Sequence, residues 1–273
     1  MKYNLGDNQG AMQDYNNAIE LGSKDANAYL NRGFLKKHFK DLEGAMQDYN
    51  KAIEYAPTFY LAYDKRAHLK VSLGDVQGAI KDWDKVIEFN ANYSSAYHSR
   101  GILKSAFGDK QGALKDYEKT IELNPQDTLA YYSRGNLKKD LDDAQGAMKD
   151  WNRALELNPK YVDAYHDRGT LKYNLGDNRG AMQDYNKAIE FNPKYFDAYF
   201  NRGILKYNLG DKQGAMQDYN KAIELDPKAA IVYHTRGILK YNLGQKESGC
   251  LDFSKAGELG YTEAYETIKK YCQ

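Results

Sequence analysis

The chain holds only 2 cysteines and 5 prolines in 273 residues. Two thiols, Cys250 and Cys272, are too few for a disulfide scaffold or an all-thiolate zinc site. Long hydrophobic runs are missing as well: no stretch approaches the roughly 18 apolar residues that a membrane-spanning helix requires. Neither charge dominates. The 39 Lys and Arg almost cancel the 38 Asp and Glu, leaving a formal net charge of +1. Without a strong positive field, no nucleic acid and no membrane is expected as a partner. The opening MKYNLGD has no apolar stretch behind a basic start and does not read as a secretory signal, so the compartment stays open.

What the chain has in quantity is tyrosine (25) and glycine (23), and much of both recurs at a fixed interval. Arg32, Arg66, Arg100, Arg134, Arg168, Arg202 and Arg236 are each 34 residues apart. A second column runs from Asp14 through Asp48, Asp82, Asp116, Asp150, Asp184 and Asp218 to Asp252. Gly10-Ala11 opens a third, which continues to Gly214-Ala215. Pro57, Pro125, Pro159, Pro193 and Pro227 share one register, with Ala91 standing where a sixth would fall. An unbroken period of this length signals a repeat architecture, and the persistence of apolar columns excludes a low-complexity segment.

Within 162–195, Ala164, Arg168, Leu171 and Leu175 step by four, three and four residues, which predicts the core-facing stripe of a helix. Gly176-Asp177 interrupts it. Ala181, Tyr185, Ala188 and Ile189 then predict a second helix, which Asn192-Pro193 ends. Each unit reads as a helix hairpin. Units 162–195 and 196–229 differ at nine of 34 places, the mark of recent tandem duplication.

This arrangement resembles the tetratricopeptide repeat, whose pattern W-x2-L-G-x2-Y, A-x3-F and P corresponds to Tyr165-x2-Arg168-Gly169-x2-Lys172, Ala181-x3-Tyr185 and Pro193. The resemblance covers essentially the whole chain and implies an all-α fold, a right-handed superhelical α-solenoid of helix-turn-helix hairpins in a bacterial-type tandem array. Its expected parts are a partial repeat over 1–25, seven repeats over 26–261 and a capping helix over 262–273. It also implies that first helices line a concave groove holding an extended peptide or a partner helix.

Arginine stands where the family has leucine, and lysine where it has tyrosine. Arg168 lies eight residues before Gly176 and Asp184 eight after, which sets them level on antiparallel helices and predicts a bidentate ion pair in every unit. An unpaired guanidinium inside an apolar stripe would be costly. The competing functional reading is an arginine row that grips an anionic ligand. Lys172 is level with Gly180, so its stem is expected over that glycine with the ammonium reaching to water. Gly169 and Gly180 read as packing residues, since no G-x-x-x-x-G-K-[ST] phosphate loop occurs. Tyr165, Tyr185 and their equivalents read as core, with an aromatic cage as the alternative.

Columns shared by all units build the fold, so function is sought in those that vary. On the inward face of the first helices stand His166, Phe200 and His234, then Ile204 and Ile238 one turn later. Tyr173, Tyr207 and Tyr241 follow, with Asn174, Asn208 and Asn242 beside them. This ladder offers aromatic anchor area and side-chain amides for a peptide backbone. Duplication alone would also have copied it, and both readings stay open. A clamp for a chaperone's C-terminal tail is disfavoured, because the inward columns nearest the helix start lack lysine and Asn31 and Asn201 alone do not make one.

All five histidines, His38, His68, His98, His166 and His234, fall on inward columns. Helix axes about 8 to 10 Å apart and turns of about 5 Å separate them too widely for metal bonds of about 2 Å. Neither a metal nor a cofactor is expected; solvated side chains or a pH-responsive groove fit better. No nucleophile elbow, isolated acid/base pair or Cys-His neighbour occurs, which argues against catalysis. Cys250 and Cys272 flank Gly260 at ten and twelve residues, compatible with a disulfide and with free thiols alike. Residues 1–7 match 171–177 apart from the first, so the chain opens inside a first helix and leaves an uncapped edge for self-association. The expected function is a non-catalytic scaffold that binds a peptide or protein segment in the groove. A self-associating structural array and a regulatory arm of a larger enzyme, its catalytic domain upstream, are the competing readings.

Overall fold

The computed structural model of the protein describes residues 7–272, which form helices and turns without a strand. The chain divides into two compact units, Met1–Leu141 and Asp142–Gln273. The first contains α1 (Asn8–Glu20), α2 (Ala26–His38), α3 (Leu42–Tyr55), α4 (Tyr60–Ser72), α5 (Val76–Phe89), α6 (Ser94–Ala106), α7 (Lys110–Leu123) and α8 (Thr128–Lys139). The second contains α9 (Ala144–Leu157), α10 (Val162–Asn174), α11 (Asn178–Phe191), α12 (Phe196–Asn208), α13 (Lys212–Leu225), α14 (Ala230–Asn242), α15 (Lys246–Glu258) and α16 (Glu263–Tyr271). In each unit the helices pair as hairpins such as α2–α3 and α10–α11, and each hairpin packs on the next. The fold is an all-α helical-hairpin solenoid.

A few residues make each hairpin turn. Gly176 adopts φ +84°, which an L side chain tolerates poorly, and its N–H donates to the Tyr173 carbonyl at 3.0 Å. The Asp177 N–H donates to the Lys172 carbonyl at 2.8 Å, so the open carbonyls at the end of α10 are satisfied. The Asp177 carboxylate then accepts the Gly180 N–H at 2.8 Å and caps α11. One residue thus closes one helix and opens the next. Asp75 and Asp211 repeat the arrangement. At Lys40, φ 65°, a non-glycine residue occupies the left-handed position.

Alanine brings the two helices of a hairpin close together, and an aromatic fills the space beyond. Ala164, Ala181 and Ala188 are buried, as are Tyr49, Trp83, Tyr117, Tyr185, Tyr219 and Phe253. A Cβ at Gly203 would stand 2.6 Å from the Tyr219 ring, which is why the first helix carries glycine there. These second-helix aromatics are core, as expected, while Tyr15 on α1 is only half-buried. The first-helix column is only partly so: Tyr29 and Tyr97 are buried, whereas Tyr165, Tyr199 and Tyr233 are half-buried beneath their own repeat's guanidinium. Leu175 departs from expectation. It is 62% exposed because it sits at the C-cap of α10, where the chain leaves the helical stripe.

The ion pairs form where the spacing places them. Arg168 donates to both oxygens of Asp184, from Nε at 2.8 Å and Nη2 at 2.5 Å. Arg32, Arg66, Arg100, Arg202 and Arg236 do the same to Asp48, Asp82, Asp116, Asp218 and Asp252. The seventh expected pair has its members in different units, Arg134 in one and Asp150 in the other. The remaining nitrogen, Nη1, reaches back to the preceding hairpin, from Arg168 to Asn152, Arg202 to Asn186 and Arg236 to Asn220. These guanidinium groups are consumed by the fold and do not make an anion-gripping row.

The lysine expectation is half right. The stem of Lys172 does lie over Gly180, where an added Cβ would be 2.9 Å from Cδ. Its ammonium, however, turns inward to Asp184 Oδ2 at 2.8 Å instead of reaching to water. The buried carboxylate attracts it, and Lys36, Lys70, Lys104, Lys206 and Lys240 make the same contact.

Candidate functional site

Residues spaced four and three apart on α10, α12 and α14 share a helix face, which aligns His166, Thr170 and Tyr173 with their equivalents. The structure brings the tyrosine and asparagine columns together by linking one helix to the next. The Asn208 amide donates to the Tyr173 hydroxyl at 2.5 Å, and the Asn242 amide to the Tyr207 hydroxyl at 2.7 Å. Asn174 is exposed. Phe200 lies half-buried against the Tyr219 ring, centroids 6.2 Å apart, with Ile204 packed into the same cluster. Ile238 remains exposed.

The histidines are not uniformly solvated. His38 and His68 are exposed, but His98, His166 and His234 are half-buried and each bonds to a helix of the following hairpin or cap. His166 Nδ1 is 3.0 Å from Asp167 Oδ1 and its Nε2 is 2.8 Å from Asn201 Nδ2. A neutral imidazole protonated on Nδ1 satisfies both contacts. His234 Nε2 is 2.9 Å from Thr267 Oγ1, and burial among Phe253 and Tyr261 lowers its pKa against the opposing pull of Glu263. Asp64, also on an inward column, is buried and accepts from Trp83 Nε1 at 3.3 Å and Lys65 Nζ at 3.0 Å.

The ladder ends differently from how it begins. Tyr241 meets the ring of Tyr271 on α16, centroids 4.9 Å apart, and beside this pair lies an open cleft of about 400 Å³. Phe253 is on its lining with Ile238 and Asn242 of α14, while Thr267, Glu266 and Lys270 of α16 supply polar groups opposite. Glu266 is paired with Lys269 at 3.2 Å. The α16 contribution escaped the repeat-based reading because that helix stands outside the period and has no column to compare. The available signal was the break at Ser248-Gly249-Cys250. Cys250 and Cys272 form a disulfide, with Cα atoms 5.8 Å apart, joining α15 to the end of α16.

Among the described residues no group of three or more His, Cys, Asp or Glu side chains is placed to hold a metal, and no helix is long and apolar enough to cross a membrane. The edge expected to support self-association, residues 1–6, lies outside the described residues.

Sequence profiles described as TPR repeat match residues 1–37 and 169–210, and others described as tetratricopeptide repeat match 26–59, 94–127, 129–161 and 196–229. No curated protein matches the chain. Among solved structures, the MamA protein is 27% identical at a TM-score of 0.56, covering 63% of this chain and 93% of that one. A tetratricopeptide repeat protein from Parabacteroides merdae is 24% identical at a TM-score of 0.67, covering 92% and 100%. YrrB, described as a TPR protein with an unusual peptide-binding site, is 23% identical at a TM-score of 0.57, covering 69% and 97%. With a 34-residue period, helix hairpins in register and profile matches over more than half its length, the chain belongs to the tetratricopeptide repeat family, whose members are typically non-catalytic protein-interaction scaffolds.

Proposed function

We propose that the unit Asp142–Gln273 docks an extended peptide or protein segment along α10, α12 and α14, with an apolar anchor side chain in the cleft between α14 and α16. The observation that carries this reading is the cleft itself. Its volume of about 400 Å³ suits one or two side chains, and Ile238, Tyr241, Phe253 and Tyr271 offer apolar area beside the polar groups of Asn242, Thr267 and Lys270. The Asn208 and Asn242 amides hold the tyrosines in place, so the ladder acts as a preorganised wall and the aromatic faces, more than the amides, provide affinity. YrrB, of the same fold, is described as having a peptide-binding site, which is consistent with this use.

Selection of a random-peptide display library against the full chain tests the reading. Selected peptides should lose affinity by about tenfold or more on Tyr241→Ala and on Ile238→Ser, as truncation of a central anchor does. Unchanged affinity in both variants would remove the cleft as the site.

A further inference from the structure

We propose that the Cys250–Cys272 disulfide is a redox latch that holds α16 in place and with it one wall of the cleft. The regulation so assigned rests on the peptide-docking reading of that cleft. Apart from its packing on α15, the helix is held by few specific ties. It is 9 residues long, below the roughly 12 to 15 at which an isolated helix becomes even marginal in water. Thr262 at its start makes no side-chain capping bond, and Ala264 is its buried residue. Its specific ties include the Thr267 hydroxyl on His234, the Tyr265 ring against Gly257 and the Tyr271 ring on Tyr241, with Ile268 half-buried beside them. Lys270 and Tyr271 line the cleft immediately before Cys272, so the bond anchors the very turn that forms the wall.

Both cysteines are half-buried, within reach of a small dithiol. One thiolate of the dithiol attacks a sulfur of the bond and forms a mixed disulfide; the second expels the remaining cysteine. Two electrons pass to the protein, two protons end on Cys250 and Cys272, and the dithiol leaves as its own disulfide. The chain between the two cysteines, 22 residues in sequence separation, is no longer closed. Release of such a loop changes the opening equilibrium by about two orders of magnitude.

The test compares the full chain air-oxidised, reduced with dithiothreitol and as Cys250→Ser/Cys272→Ser. The oxidised chain should show no titratable thiol. Amide-exchange protection in α16 should fall about 100-fold on reduction and in the double variant, with α12 and α13 unaffected. Peptides selected on the oxidised chain should bind the reduced form more weakly by tenfold or more. Free thiols in the oxidised chain, equal α16 protection in both states, or peptide affinity that ignores reduction while Tyr241→Ala abolishes it would each overturn the latch. Loosened α16 with no peptide bound in either state would overturn the docking reading and leave the latch standing as a conformational switch.

Discussion

Arg168 and Asp184 meet through two hydrogen bonds across a hairpin, Nε to Oδ2 at 2.8 Å and Nη2 to Oδ1 at 2.5 Å. Lys172 adds a second cation to the same carboxylate, which is almost fully enclosed, and Asn152 takes the third nitrogen of the guanidinium. One side chain, Arg168, therefore contributes both to register within a hairpin and to stacking onto the preceding one. Arg168→Ala should destabilise the protein by about 2 to 3 kcal/mol, less than the loss of one member of an isolated buried pair because Lys172 still faces Asp184. Arg168→Lys should recover only part of it, since the fork geometry is absent. Amide exchange in α10 and α11, read beside urea unfolding, checks this, and protection equal to the wild type would show the pair to be dispensable.

The hairpin turn has a left-handed residue, and at Lys40 that residue has a side chain. Lys40→Gly should raise stability by about 1 kcal/mol by removing the steric penalty of the left-handed conformation. Gly176→Ala should lower it by a similar amount. Thermal unfolding of the two variants should move in opposite directions.

Two buried hydroxyls at equivalent places differ in their surroundings. Tyr185 donates to Thr170 Oγ1 at 3.3 Å, whereas the hydroxyl of Tyr219, buried on the same side of its hairpin, has no hydrogen-bond partner because isoleucine, Ile204, replaces the threonine. Tyr219→Phe should accordingly stabilise the protein by about 1 kcal/mol, while Tyr185→Phe should destabilise it by about as much. Equal shifts in urea midpoint for the pair would contradict the contrast.

Burial lowers the pKa of His98, with Asp127 acting in the opposite direction. The unfolded chain therefore takes up the proton first. Stability present above the ordinary histidine value of about 6.5 should be lost as the pH falls through the interval between that value and the lowered one in the fold. His234 contributes with the same sign. Urea midpoints measured from neutral to mildly acid pH should fall, and His98→Gln should flatten the slope.

Much of the fold is legible in the 34-residue period alone, since hairpin limits, turn glycines and the level placing of Arg168 and Asp184 all follow from counting. Counting fails where a side chain chooses between neighbours. Spacing alone sends the Lys172 ammonium to water, but the enclosed carboxylate of Asp184 is the stronger attraction. The spacing offers the Asn208 and Asn242 amides to a peptide, and only the fold shows that each also lies within reach of a tyrosine hydroxyl 35 residues earlier. Leu175 has the spacing of a core residue and the exposure of a surface one, because its helix ends there.

By itself the amino-acid order determined a tandem all-helical array and the columns that build it, because periodicity is local and each copy repeats the same packing problem. Tertiary structure alone decided what happens where the period stops. There the docking of α16 on α14 and α15 creates a cleft, and the approach of two cysteine backbones to 5.8 Å makes a bond. Neither is written in a repeating column, since each depends on the angle at which one unrepeated helix returns to the array.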